Sequence, residues 1–211
     1  DDTSILLVLN EESDTTPSEL QIINESLTVF GESLRRGIEY ETLFEQASTD
    51  ALTGLSNRRV FRDRIASMIN FHKRYGSPLT MLSLDLDYFK QINDNYGHPT
   101  GDEVIRKTAA TLQDSIRGID KAGRYGGEEF AVILLETGAE GALVVAERIR
   151  KRIKVLDVHH EGQCVNFTVS LGVAELTPSM SDPTTWIECA DKALYQAKHN
   201  GRNNSVIYTE N

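Results

Sequence analysis

Asp85 and Asp87 close an apolar stretch in which Thr80, Leu82, Leu84 and Leu86 alternate with Leu79, Met81, Ser83 and Asp85. Strict alternation reads as a strand over Leu79–Asp87. A carboxylate at its buried end must be paired, hydrogen-bonded or bound to a cation, because desolvating it alone is costly. Glu128 and Glu129 follow Gly126-Gly127, a dipeptide that signals a hairpin between two strands and lets backbone approach a ligand. A hairpin pairing beside the Leu79–Asp87 strand would bring Asp85 and Glu128 to one point. Hard oxygen donors without His or Cys partners favour Mg²⁺, which usually also binds substrate phosphates. Paired carboxylates of this kind resemble the two-metal sites of nucleotidyl transfer, which stabilise the attacking and leaving oxygens together. Lys90, Lys198 and Arg202 supply cations for a polyphosphate. The plain alternative for Lys198 and Arg202 is that they complement a helix C-terminal dipole.

The elements that must hold these groups follow from periodicity. Helices are expected over Asn57–Tyr75, Gly101–Ile116, Ala139–Val155 and Thr184–His199. Strands are expected at Leu79–Asp87, Lys121–Tyr125, Phe130–Leu134, Asn166–Glu175 and Val206–Tyr208. Strands alternate with helices, with one hairpin interrupting. The expected class is α+β: a mainly antiparallel central sheet with flanking helices, sandwich-like.

The 211 residues carry 32 acidic and 22 basic side chains, a net charge of -10. An acidic total argues against a nucleic-acid or anionic-membrane binder, since both select basic surfaces. The excess is local: residues 1–50 hold 12 acids and two bases, and residues 51–211 hold 20 of each. That shift marks a boundary near residue 50. An apolar fraction of 39% excludes disorder as a description of the whole. Cys164 and Cys189 are the only cysteines. Without CxxC spacing they argue against a disulfide framework or a cysteine zinc site, and for a reducing, cytoplasmic setting.

Residues 1–18 read as a linker or the end of an upstream region, with Ser18 a candidate helix cap. Over 19–49 the apolar residues Leu20, Ile23, Leu27, Phe30 and Leu34 recur in steps of three and four. This is a coiled-coil seam. It slips near Gly37 and Ile38 and resumes at Tyr40, Leu43 or Phe44, and Ala47, as a stutter would produce. The competing reading is one amphipathic helix docked on its own domain. Ile5–Leu9 is too short to span a bilayer, so direct membrane contact is not expected of this segment. The chain reads as part of a longer one, with the signal-sensing region and any membrane anchor upstream.

Gly126–Phe130 reads GGEEF, and this resembles the signature of the GGDEF family of diguanylate cyclases. The neighbouring segments carry the resemblance: DALTGLSNRR at 50–59, DLDYFKQIND at 85–94, Gly97-His98 and Gly101-Asp102, TVSLGVA at 168–174 and ADKALYQAKHNGRN at 190–203. It covers about residues 48–208 in order, and makes 50–211 the catalytic domain, with a palm-like nucleotidyl cyclase fold. The resemblance implies two Mg²⁺ ions per half-site, with Mn²⁺ as a substitute, on Asp85, Glu128 and the Leu86 carbonyl. Glu129 would assist metal binding and catalysis. Asn93 and Asp102 would read guanine, whose adjacent N–H donors suit an acceptor-only carboxylate. Lys90, Lys198 and Arg202, with backbone N–H groups of a Phe89–Lys90 turn, would hold the phosphates. Two GTP would condense to cyclic di-GMP with loss of two pyrophosphates, each domain of a homodimer supplying a half-site and the stalk raising effective concentration.

Arg117-Gly118-Ile119-Asp120 reads RxxD, five residues before Gly126. It resembles the family's product-inhibition site, with Arg117 and Asp120 gripping cyclic di-GMP and Arg148 as an additional arginine. The bland reading is a surface Arg117–Asp120 ion pair, worth little. Two other functions compete: a non-catalytic cyclic di-GMP receptor, which would be expected to lose metal or hairpin residues that are intact here, and a module that binds GTP without turnover. His98 is expected to make loop hydrogen bonds. His159 and His160 are adjacent, pointing apart rather than toward a shared metal. Trp186 and Cys189 are expected to pack in a helix, and Asp50 to pair with Arg58 or Arg59.

Overall fold

The computed structural model describes residues 16–180 and 182–210. The chain divides into two units at Ala47/Ser48. The first is essentially helix α1, Pro17–Ser48. It opens on a capping box: the Thr16 N–H donates to Glu19 Oε2 at 2.8 Å, and the Glu19 N–H donates to Thr16 Oγ1 at 3.4 Å. This reciprocal pairing satisfies donors that a helix start leaves open. Thr16 therefore caps the helix, and Ser18, expected in that role, lies inside it. Of the linker expected over 1–18, residues 1–15 lie outside the described residues, and Pro17 and Ser18 are already helical. Leu20, Val29, Phe30, Leu34 and Ile38 are exposed on α1. The side chains of Tyr40, Leu43 and Ala47 lie outside the described residues.

The second unit is built on a five-stranded sheet: β1 Leu79–Leu86, β2 Lys121–Arg124, β3 Glu129–Leu135, β6 Val169–Glu175 and β7 Ser205–Ile207. The order is β2-β3-β1-β6-β7. Three pairings are antiparallel and the last, β6 with β7, is parallel. The period-two pattern of β1 sorts its side chains between two cores. Leu82, Leu84 and Leu86 pack with α3 (Phe89–Gln113) and α4 (Ala139–Lys154) through Val104, Leu112 and Ile149. Leu79 and Met81 pack with α2 (Arg58–Tyr75) and α5 (Pro183–His199) through Phe61, Ile65 and Trp186. Trp186 and Cys189 are core residues, and Trp186 Nε1–H donates to the Ala174 carbonyl at 2.9 Å.

Two local features depart from expectation. The helix expected from Gly101 already starts at Phe89 and ends at Gln113, broken at Gly97, where φ is 79° and ψ is 162°. Its first segment is mostly polar, yet Phe89 and Ile92, one turn apart, are buried in the core. That tertiary contact, not propensity, makes it helical. The exposed His98 follows the break. The second is a small hairpin, β4 His159–His160 with β5 Gln163–Cys164, whose turn uses Gly162 at φ 82°. Strands of two residues are too short to show periodicity.

Candidate active site

The site forms where β1 ends beside the hairpin into β3. The register pairs Asp85 with Glu129 on one side and with Ser170 on the other, so Asp85 leaves the sheet in its centre. It is 7% exposed. The α5 helix delivers Lys198, whose Nζ lies 2.8 Å from Asp85 Oδ2. Burial pushes the Asp85 carboxyl above its usual range; the Lys198 ammonium opposes this, and the nearby Asp87 charge adds to it. Glu128 is also raised, first by burial and then by the charge of Asp85. The Leu86 N–H donates to the Glu128 carbonyl at 3.3 Å, which locks the hairpin to the end of β1. The expected convergence of Asp85 and Glu128 is therefore present.

The position of the Glu129 carboxylate depends on Gly126. A Cβ there would lie 2.2 Å from Glu129 Oε2, so only glycine lets that carboxylate fold over the turn. The Tyr125 N–H donates to the Glu129 carbonyl at 2.8 Å. Arg124 braces the turn from below: its Nη2 donates to the Gly127 carbonyl at 2.6 Å, and its Nη1 reaches both Asp50 oxygens at 3.0 and 3.1 Å. Asp50 thus takes its cation from Arg124 and not from Arg58, whose guanidinium sits 4.7 Å from the Tyr125 ring centre. Burial opposes ionisation of Asp50, but the Thr53 hydroxyl and Arg124 outweigh it and hold the carboxyl below its usual range. Arg124 is the residue that sequence reasoning missed. Its only signal was a cation two residues before the glycine pair.

Asp87 has a different task from Asp85. It is 3% exposed and accepts from Thr168 Oγ1 at 2.6 Å, Ser170 Oγ at 2.7 Å and the Asn203 N–H at 3.0 Å. It staples β1 to β6 and to the loop that carries Arg202. Arg202, at φ 60°, stacks its guanidinium 4.5 Å from the Tyr88 ring centre. Phe89 and Lys90 form the first turn of α3 rather than a separate turn. The Phe89 ring is buried and Lys90 is exposed, so Phe89 can offer a ligand only its backbone. Helix N-terminal N–H groups are suited to anions. Further along α3, a Cβ on Gly101 would lie 2.0 Å from Asn93 Oδ1. Asn93 therefore rests on Gly101, next to Asp102, across the break at Gly97.

Away from this face, Arg117, Asp120, Arg148 and Arg152 line a groove of about 640 Å³. Asp120 is buried, and its carboxylate accepts the Arg117 N–H at 2.9 Å and the Leu135 N–H at 3.0 Å. The Arg117–Asp120 contact is amide to carboxylate, not the side-chain ion pair of the bland reading. Arg148 Nη2 donates to the Ser115 carbonyl at 2.6 Å. Among the described residues, no helix is long and apolar enough to cross a membrane.

Residues 47–204 match the family model described as diguanylate cyclase, GGDEF domain. The chain belongs to the GGDEF family. The response regulator PleD of Caulobacter vibrioides is 41% identical over 172 residues, covering 81% of this chain and 37% of that protein. Diguanylate cyclase A of Treponema denticola is 38% identical over 177 residues, 82% of this chain and 48% of the relative. The chain thus spans less than half the length of these relatives. Among solved structures, the coiled coil and GGDEF domain of DgcB from Caulobacter crescentus, in complex with c-di-GMP, superposes with a TM-score of 0.80. It is 32% identical and is matched over 89% of this chain and 98% of that one. The active GGEEF domain of a diguanylate cyclase from Vibrio cholerae gives 0.70 at 36% identity, over 74% and 99%. The mixed α+β architecture with N-terminal helices is that of the GGDEF fold.

Proposed function

We propose that this GGDEF domain is a diguanylate cyclase that condenses two GTP into cyclic di-GMP. The observation carrying this reading is the contact of Lys198 with the buried Asp85 at 2.8 Å, beside Glu128. A cation and two desolvated carboxylates at one sheet end match a polyphosphate with its counter-ion. The donor set fits a hard divalent cation. The Asp85 charge disfavours ionisation of Glu128, and a bound cation relieves that repulsion. Mg²⁺, or Mn²⁺ in its place, would be held by both carboxylates and the Leu86 carbonyl, and would neutralise charge on the phosphates.

The chain's own residues do the rest. Lys198 and Arg202 move from Asp85 and Tyr88 to phosphate oxygens, joined by Lys90 and the first N–H groups of α3. Asn93 and Asp102 accept and donate along the guanine edge. Adenine lacks the matching donors, so it would leave Asp102 unpaired, a strong penalty. Glu129, whose carboxylate lies against Gly126 on the hairpin, would assist metal binding and catalysis. In the face-to-face dimer each 3′-oxygen bonds to the other nucleotide's α-phosphorus, and the bond to pyrophosphate breaks. The proton of each hydroxyl is lost to base. Catalysis is mainly positioning and charge stabilisation, on a palm-like nucleotidyl cyclase scaffold. A two-fold product needs two half-sites, which the exposed apolar residues of α1 support by pairing stalks. Arg117, Asp120 and Arg148 line the groove where product would bind and inhibit. A cytoplasmic setting supplies GTP and keeps Cys164 and Cys189 reduced.

The deciding assay incubates the protein with GTP and Mg²⁺ and measures cyclic di-GMP and pyrophosphate. Two pyrophosphates per cyclic di-GMP are expected. Intact GTP binding without product at high protein concentration refutes the proposal.

A further inference from the structure

Three donors outside the catalytic face meet at the β4–β5 hairpin. Asp157, His159 and Cys164 each offer one ligand atom, and these atoms lie within 4.8 Å of one another. The strand register sets His159 opposite Cys164, and His159 Nδ1 lies 3.0 Å from Asp157 Oδ1. A search for CxxC or paired histidines misses this set, because Cys164 and His159 meet across two strands.

The geometry points to a zinc-class metal site on Asp157, His159 and Cys164, completed by water, that clamps the β4–β5 hairpin onto the Asn93–Asp102 segment of α3. Thiolate, imidazole and carboxylate together select a borderline-soft ion over Mg²⁺ or Ca²⁺. Zinc ligands at about 2.0–2.3 Å are spaced roughly 3.3–3.8 Å apart in a tetrahedron. Side-chain shifts of about an ångström close the set around that geometry. All three residues are exposed, so a metal has free access and the open position faces water.

The clamp follows from what the hairpin already touches. Neighbouring residues of a strand face opposite ways, and His160 points at α3 while His159 serves the metal. Thr100 Oγ1 and His160 Nδ1 are hydrogen-bonded at 2.9 Å, and the Tyr96 ring meets His160 edge-on at 5.6 Å. Lys107 Nζ donates to the Asp157 carbonyl. Metal binding fixes Asp157 and both strands at once, and so restrains Tyr96 and Thr100, which flank the break at Gly97. Asn93 and Asp102 are held in the same stretch. An effect of the clamp on GTP affinity rests on the proposed reading of Asn93 and Asp102 as guanine contacts; the metal site and the clamp do not.

The test titrates Co²⁺ into the full chain, reduced and in excess Mg²⁺, and follows the near-ultraviolet thiolate-to-cobalt absorption. Cys189 is buried, which leaves Cys164 as the accessible thiol. One equivalent should saturate the band, and Zn²⁺ should displace it. Cys164→Ser should abolish the band. His159→Ala should weaken binding by at least the roughly tenfold typical of losing even an outer partner. No band, or an equal band in Cys164→Ser, overturns the site. Hydrogen exchange then reads the clamp. Zn²⁺ should slow amide exchange over residues 93–102 in the wild type and not in Cys164→Ser. Equal exchange with and without Zn²⁺ overturns the clamp. Neither readout uses GTP, so each stands or falls apart from the cyclase assignment.

Discussion

Asp87→Ala separates the two aspartates at the end of β1. The wild-type carboxylate is 3% exposed and accepts three hydrogen bonds, at 2.6, 2.7 and 3.0 Å. Bonds to a charged acceptor are each worth about 1.5–3 kcal/mol net. The losses do not simply add, because the Thr168 and Ser170 hydroxyls can rotate toward other acceptors and water can enter the vacated space. Leaving a buried donor without its acceptor costs about 1–3 kcal/mol, and with the two hydroxyls partly re-satisfied we take about 3 kcal/mol in all for Asp87→Ala. For a domain of this size each kcal/mol lowers Tm by about 2–4 °C, giving a fall of roughly 6–12 °C. Circular dichroism melts of the metal-free protein measure it. Mg²⁺ affinity should survive, while KM for GTP should rise because the Asn203 loop that carries Arg202 loses its anchor. A melt within about 2 °C of wild type, well below that range, together with lost Mg²⁺ binding, would show that Asp87 is a ligand and that the assignment is wrong.

Asp85→Asn should act in the opposite sense. Burial raises the folded-state pKa of Asp85 and Glu128. Their contribution to metal-free stability is therefore intact below the ordinary carboxylate range and is lost as pH rises through the raised values. At neutral pH the metal-free asparagine variant should be more stable than wild type while losing Mg²⁺ affinity, and a lowered neutral Tm contradicts this. Wild-type Mg²⁺ affinity, by calorimetry, should climb with pH over the same raised interval, since the ion needs both groups deprotonated; a flat profile there counts against them as ligands. Gly126→Ala should displace the Glu129 carboxylate, cutting turnover by at least about tenfold, as misplacement of a catalytic group does, with little change in Tm; wild-type turnover refutes a role for that carboxylate position. At the second groove, Arg117→Ala should relieve inhibition by added cyclic di-GMP without loss of stability. Asp120→Ala should lower Tm, because it strips the buried acceptor from two backbone N–H groups; an unchanged Tm removes that structural role.

Much of this molecule was readable from its letters. Alternation in Leu79–Asp87 assigned each apolar residue of β1 to one of two cores, because a strand's side chains can only alternate. The Gly-Gly hairpin, the three basic residues and the RxxD string were visible as residue types at informative spacings, and so was the charge step near residue 50. What stayed hidden depended on partners distant in sequence. The chain could not say that Asp85 meets Lys198 while Asp87, two residues on, is spent on Thr168, Ser170 and Asn203. Both are acids at the same strand end, and only the register of β6 and the path of α5 distinguish them. Asp50 chose Arg124 over the nearer Arg58 for the same reason: the hairpin brings a cation from 74 positions away. The Phe89–Ile92 turn is helical because the core takes its two apolar side chains, a contact its own polar sequence does not announce. Sequence determined which chemistries this protein can perform, since those reside in residue types. Tertiary structure decided which of two identical carboxylates performs them, because burial and charge are properties of a place in the fold.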